Sequence, residues 1–78
     1  MAEVFLFAAA RAAAGTDVLN IAAESVQQVL DQLIDLNPQL AKLIPTCGVL
    51  VDSVACHDTH SAINADTRID ILPKFAGG

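Results

Sequence analysis

The chain ends in two glycines, Gly77 and Gly78, a few residues after a segment with the composition of a β-strand. Glycine has no Cβ, so a stalk of this kind can enter a channel too narrow for other residues. A carboxylate delivered into a partner's active site can be adenylated, which removes its charge and installs a leaving group. We therefore predict chemistry at the Gly78 carboxylate, with Ala76 and Gly77 as its stalk. The alternative is a flexible end without a chemical role.

Four side chains of types that bind zinc lie in the second half of the chain: Cys47, Cys56, His57 and His60. Structural zinc sites usually take two ligands from one turn, with two to four residues between them. The cysteines are too far apart for this, and adjacent residues of a strand point to opposite faces. We predict reduced cysteines and no metal site, and a small metal-binding module at Cys56, His57 and His60 is kept as an alternative. The sequence has no P-loop, dinucleotide glycine motif or nucleophile elbow, so any ATP must be bound by a partner.

Composition and charge exclude several classes of function. The 78 residues are 54% hydrophobic and 17% charged, which predicts one globular domain over residues 1–78. The formal net charge of −5 argues against nucleic-acid binding, which needs clustered Lys and Arg. The longest apolar run, residues 4–10, is too short to span a bilayer and follows Glu3 instead of a basic segment. We expect a cytoplasmic protein with no membrane association.

Hydrophobic patterning predicts the elements that must position the terminal carboxylate. Strands are expected at residues 3–8, 16–22, 48–51, 54–57 and 67–72, with an alanine-rich connection at residues 9–15 that joins the first two as a loose hairpin. A helix is expected at residues 25–37, because Ser25 and Gln28 form a capping box and Asn37-Pro38 ends it. Its apolar stripe comprises Val26, Val29, Leu30, Leu33 and Ile34. The next segment, residues 39–43, can add one more helical turn.

The first strand is apolar on both of its faces. Val4, Leu6 and Ala8 point one way, and Phe5 and Phe7 point the other. One helix covers only one face of a sheet, so the two phenylalanines are predicted to be left on the outside. A large apolar patch on a small domain marks a protein interface, unless loops or residues 9–14 fold over it.

Three parts of the sequence resemble the small subunit of molybdopterin synthase, the MoaD type of sulfur carrier. These are residues 4–8 with Arg11 and residues 14–16, the capped helix at Ser25, and the ending at residues 71–78. The likeness spans essentially the whole chain. It departs from the family pattern at Lys74, where a second proline is common, and at residues 51–53, where many relatives carry an Asn-Gly turn.

The resemblance implies an α+β, β-grasp (ubiquitin-like) fold with a mixed sheet of four to five strands and one main helix. It also implies that an E1-like adenylyltransferase uses ATP to adenylate Gly78, and that a sulfur donor then leaves a thiocarboxylate. The large subunit of molybdopterin synthase, in a heterotetramer, would take the flexible tail at residues 74–78 and pass the sulfur to a cyclic pyranopterin phosphate. The chain would bind no cofactor and would be a non-catalytic subunit. The residues expected to contact partners are Phe5, Phe7, Arg11, Lys74 and Phe75.

Two other functions use the same tail. A related carrier would supply sulfur for thiamine, cysteine or transfer-RNA thiolation, with only the acceptor changed. A protein modifier would attach Gly78 to lysines.

Overall fold

Five strands form one mixed sheet in the computed structural model, which describes residues 1–73. The strands are β1 (Ala2–Leu6), β2 (Val18–Ile21), β3 (Cys47–Val51), β4 (Val54–Ala55) and β5 (Arg68–Pro73). Their order is β2-β1-β5-β3-β4, with β1 and β5 parallel and the other neighbours antiparallel. The first and last strands therefore pair at the centre of the sheet, and the predicted α+β, β-grasp architecture is confirmed.

The main helix, α2 (Val26–Leu36), begins and ends where the sequence predicts. The backbone N–H of Gln28 donates to Ser25 Oγ at 3.2 Å, and the Gln28 side-chain oxygen accepts from the backbone N–H of Glu24 at 2.8 Å. These two bonds satisfy N–H groups that have no partner within the helix. The predicted stripe is confirmed, since Val26, Val29, Leu30 and Leu33 are buried and Ile34 packs partly buried against them.

The predicted connection at residues 9–15 is wrong, because most of it forms a helix, α1 (Ala8–Ala14). Alanine has the highest intrinsic helix propensity, and six of the seven residues are alanine. Gly15 ends the helix at φ 77°, a conformation that glycine adopts without steric cost. The strands β1 and β2 are antiparallel neighbours as expected. The segment that connects them contains the helix α1, so they do not form a loose hairpin.

Two shorter helical segments follow α2. The predicted extra turn is present as α3 (Leu40–Leu43), and a 3₁₀ turn at Ile44–Thr46 leads into β3. The side-chain amide of Asn37 donates to the carbonyl oxygen of Ala13, which ties the end of α2 to α1. Within residues 1–73, none of the helices combines the length and apolar character needed to cross a membrane.

The core lies between the helices and one face of the sheet, here called the inner face. The buried strand residues on it are Ala2, Val4, Leu6, Ile21, Cys47, Ile69 and Ile71. From the helical side, the cluster is completed by the α2 stripe, Leu40, Ile44 and Ala10 of α1. Because α1 packs against this core, it does not cover Phe5 and Phe7, which was one of the alternatives left open by the sequence.

Candidate functional site

The opposite face of the sheet carries an apolar surface with no helix packed on it. Strand pairing aligns Phe5 with Val18 on one side and with Asp70 on the other, and Asp70 with Leu50 beyond it. Alternation places Leu72 on the same side, since Ile71 is buried in the core. Phe7 and Val18 are 37% and 38% exposed. We call this surface the outer patch; it comprises Phe5, Phe7, Val18, Leu50 and Leu72.

Phe7 lies at the junction between β1 and α1, next to the C-terminal half of β5. Its backbone N–H donates to the Ile71 carbonyl at 3.2 Å, and its own carbonyl accepts from Ala10 N–H at 3.1 Å. Arg11 follows one helical turn later and is exposed. The structure therefore leaves Phe7 and Arg11 accessible, while Phe5 is half-buried. Their predicted contacts with a partner stay predictions.

A charged cluster that was not predicted from the sequence lies beside the outer patch. The Arg68 guanidinium stacks over the Phe5 ring with its central carbon 4.0 Å from the ring centroid, and Arg68 Nε donates to Asp70 Oδ1 at 2.9 Å. The Arg68 side chain is 49% exposed and that of Asp70 only 10%. The sequence did contain a signal, because residues 68 and 70 of one strand must share a face.

The hairpin between β3 and β4 holds the start of β5. Asp52 and Ser53 form its turn, with φ angles of 49° and 70°. The Asp52 backbone N–H donates to the Arg68 carbonyl at 2.8 Å, and Asp52 Oδ1 accepts from the Arg68 N–H at 2.8 Å. Both backbone polar groups of Arg68 are thus paired with one turn residue.

The strand that precedes the tail is held on both edges. β5 pairs with β1 over four residues and with β3 over five, and the pairing with β3 extends to Pro73 opposite Cys47. The predicted site residues Lys74, Phe75, Ala76, Gly77 and Gly78 lie outside the described residues. What the structure supplies is a rigid base for them, because a strand with two neighbours cannot shift its register without losing both sets of hydrogen bonds.

The candidate metal ligands do not converge. The Cys47 thiol lies 3.3 Å from the Leu43 carbonyl oxygen and the Cys56 thiol 3.2 Å from that of Asp58, while His57 and His60 are exposed. Over residues 1–73, no group of three or more His, Cys, Asp or Glu side chains is arranged to hold a metal ion.

Comparison with known proteins gives one family match. Residues 4–78 match the ThiS family, which covers the outer patch, β5 and the terminal Gly-Gly together. None of the curated proteins matches the sequence.

Several solved structures have the same fold. The small archaeal modifier protein 1 from Methanosarcina acetivorans is 28% identical, with a TM-score of 0.89 over 99% of this chain and 95% of that one. A putative molybdopterin converting factor subunit 1 from Pyrococcus furiosus is 13% identical, with a TM-score of 0.86 over 95% and 97% of the two chains. Subunit 1 in a complex of subunits 1 and 2 of molybdopterin-converting factor from Helicobacter pylori is 16% identical, with a TM-score of 0.74 over 99% and 97%. At these identities the last two show the fold alone.

Proposed function

This chain belongs to the ThiS family, and on that premise we propose that it carries sulfur on its terminal carboxylate. The observation that supports this most directly is the family match through Gly78 combined with a β5 strand that is held on both edges. A rigid domain that ends in a thin Gly-Gly segment can be held by its surface while its carboxylate is processed at a distance.

The reaction needs a partner, because the chemistry of Gly78 starts from an unreactive group. An E1-like adenylyltransferase binds ATP, and the Gly78 carboxylate attacks its α-phosphate with release of pyrophosphate. A sulfur donor then displaces AMP and leaves a thiocarboxylate, which is anionic at neutral pH and is a competent sulfur nucleophile. Burial of the tail in the partner keeps water away from the reactive acyl-adenylate.

The finer assignment is to the small subunit of molybdopterin synthase. It is supported by the fold shared with two molybdopterin converting factor subunits, and one of these forms a complex with subunit 2. In this role the large subunit takes the tail, and sulfur passes to a cyclic pyranopterin phosphate. The outer patch and Arg11, together with Lys74 and Phe75, form the surface that contacts the large subunit.

A second function, attachment of Gly78 to protein lysines, is favoured by one specific observation. The solved structure with 28% identity is a small archaeal modifier protein. Both functions begin with the same adenylate and differ in what replaces AMP, which is sulfur in one and an amine in the other.

Mass spectrometry of the chain isolated from its native cells tests both functions. A sulfur carrier gives an intact mass raised by the exchange of one terminal oxygen for sulfur, and the rise disappears after alkylation and hydrolysis of the thiocarboxylate. A modifier gives lysines in other proteins that carry the remnant of residues 75–78 after trypsin cleaves at Lys74. If neither species forms in cells that make the chain, the proposed function is wrong.

A further inference from the structure

We propose that Arg68 determines partner specificity by binding a carboxylate on the activating enzyme when that enzyme takes the tail. The inference rests on the proposed function and names the chemistry of the partner surface: apolar, with one acidic side chain opposite Arg68. It starts from the charged cluster at Arg68, Phe5 and Asp70, which no part of the sulfur chemistry uses.

The Arg68 side chain is held in one orientation before any partner binds. The guanidinium carbon lies 4.0 Å from the centroid of the Phe5 ring, and Arg68 Nε donates a hydrogen bond to Asp70 Oδ1 at 2.9 Å. Asp52 pairs both backbone polar groups of Arg68 at 2.8 Å. A side chain already ordered in this way loses little conformational entropy when it binds, which is the main cost of using a flexible residue at an interface.

Arg68 keeps N–H donors that its pair with Asp70 does not use. A guanidinium has five N–H donors, and the Nε–H is the one that Asp70 takes. Glu3 lies opposite Arg68 in the strand register, yet the pair with Asp70 is the one ion pair present within residues 1–73. The terminal nitrogens of a half-exposed arginine match the two oxygens of a carboxylate. The Arg68 side chain is 49% exposed and that of Asp70 only 10%, so the arginine is the more accessible member of the pair.

A partner that takes the tail also covers Arg68. Arg68 and Pro73 are the two ends of β5, and five steps of about 3.3 Å separate them by about 17 Å. An interface of ordinary size buries about 800 Å² on each side and is therefore ~30 Å across. A footprint that begins at Pro73 and extends over the apolar outer patch along β5 therefore reaches Arg68. Arginine beside aromatic residues is the composition typical of interface residues that carry most of the binding energy.

The test measures binding to the activating enzyme that adenylates the wild-type chain. The double variant Arg68→Met/Asp70→Leu removes the ion pair as a unit, so no buried carboxylate is left without its partner. We expect its dissociation constant by calorimetry to rise about 10- to 100-fold. Lys42→Met removes the same charge from an exposed site on α3 and is the matched control, with an unchanged constant. Thermal melts establish that each variant is folded.

Arg68→Lys keeps the inference testable if the double variant does not fold. It retains the positive charge beside Asp70 but loses the planar fork, so binding should weaken by about fivefold or more. Wild-type affinity in folded Arg68→Lys and in the folded double variant overturns the role of Arg68, while ATP–pyrophosphate exchange with the wild-type chain leaves the proposed function standing. Absence of exchange and of binding with the wild-type chain overturns both.

Discussion

At the scale of single residues, the turn between β3 and β4 shows a conflict between residue type and backbone conformation. Asp52 and Ser53 both have positive φ, where residues with a Cβ are disfavoured. Asp52 has a reason to be there, because its carboxylate accepts the Arg68 N–H at 2.8 Å. Ser53 makes no side-chain hydrogen bond within the part of the chain that the structure describes.

We therefore predict that Ser53→Gly stabilises the protein by about 1 kcal/mol, since glycine adopts positive φ without the Cβ clash. The midpoint of thermal unfolding should rise by about 4–8 °C for a domain of this size. Asp52→Ala, at the neighbouring turn position, should lower the midpoint because the Arg68 N–H loses its acceptor. A midpoint for Ser53→Gly below that of wild type would contradict this account of the turn.

At the scale of elements, α2 holds the core because its apolar stripe meets the inner face of the sheet. Leu33 is fully buried on the stripe, whereas Leu36 at the end of the same helix is 69% exposed. The same residue type in the same helix thus occupies two opposite environments. Substituting each leucine by alanine therefore distinguishes the contribution of burial to stability from that of helix propensity.

We expect Leu33→Ala to lower the free energy of unfolding by about 2–5 kcal/mol, through lost burial and the cavity left behind. Leu36→Ala should change it by no more than about 0.5 kcal/mol. Urea denaturation followed by circular dichroism measures both. Equal effects of the two substitutions would show that the stripe does not carry the stability of the fold.

The contrast between α2 and α1 shows why one helix was predicted and the other was not. The α2 sequence alternates polar and apolar residues at helical spacing and carries a capping box, so pattern and local chemistry agree. The α1 sequence is almost all alanine, which gives no periodic contrast. The residue of α1 that is buried in the core is Ala10, and it packs against strands and helices that are distant in sequence.

At the scale of the whole molecule, the two faces of the sheet differ in what covers them. The inner face meets the helices, and the outer patch stays accessible beside the strand that leads to the tail. Phe7, on the accessible side, is the residue that best tests whether this face binds a partner.

We predict that Phe7→Ala weakens binding of the large subunit of molybdopterin synthase by about 2 kcal/mol, or roughly 30-fold. Calorimetric titration measures this, and circular dichroism should show an unchanged fold because the ring lies outside the core. Leu36→Ala removes an exposed apolar side chain from α2 and should bind as wild type does. An interface elsewhere on the domain would leave the affinity of Phe7→Ala unaltered.

The tail prediction also belongs to this scale, since it separates the folded domain from its reactive end. Deletion of Gly78, or Gly77→Val, should abolish ATP–pyrophosphate exchange by the activating enzyme without lowering the midpoint of thermal unfolding. A narrow channel excludes the valine side chain, and the deletion removes the carboxylate from its place. Undiminished exchange by the truncated chain would show that Gly78 is not the activated residue.

The sequence by itself determined the elements whose signals are local. The Ser25 cap, the α2 stripe, the alternation of β1 and the Gly-Gly ending each depend on residues close together in the chain, so their spacing was sufficient. The sequence predicted the pairing of β1 with β2, but the pairing of β1 with β5 was decided only in the tertiary structure, because it joins residues more than sixty positions apart. The same long-range pairing brought Phe5, Asp52 and Asp70 around Arg68. Only the Arg68–Asp70 pair has a local signal, the spacing of two residues on β5, whereas Phe5 and Asp52 come from β1 and the turn after β3.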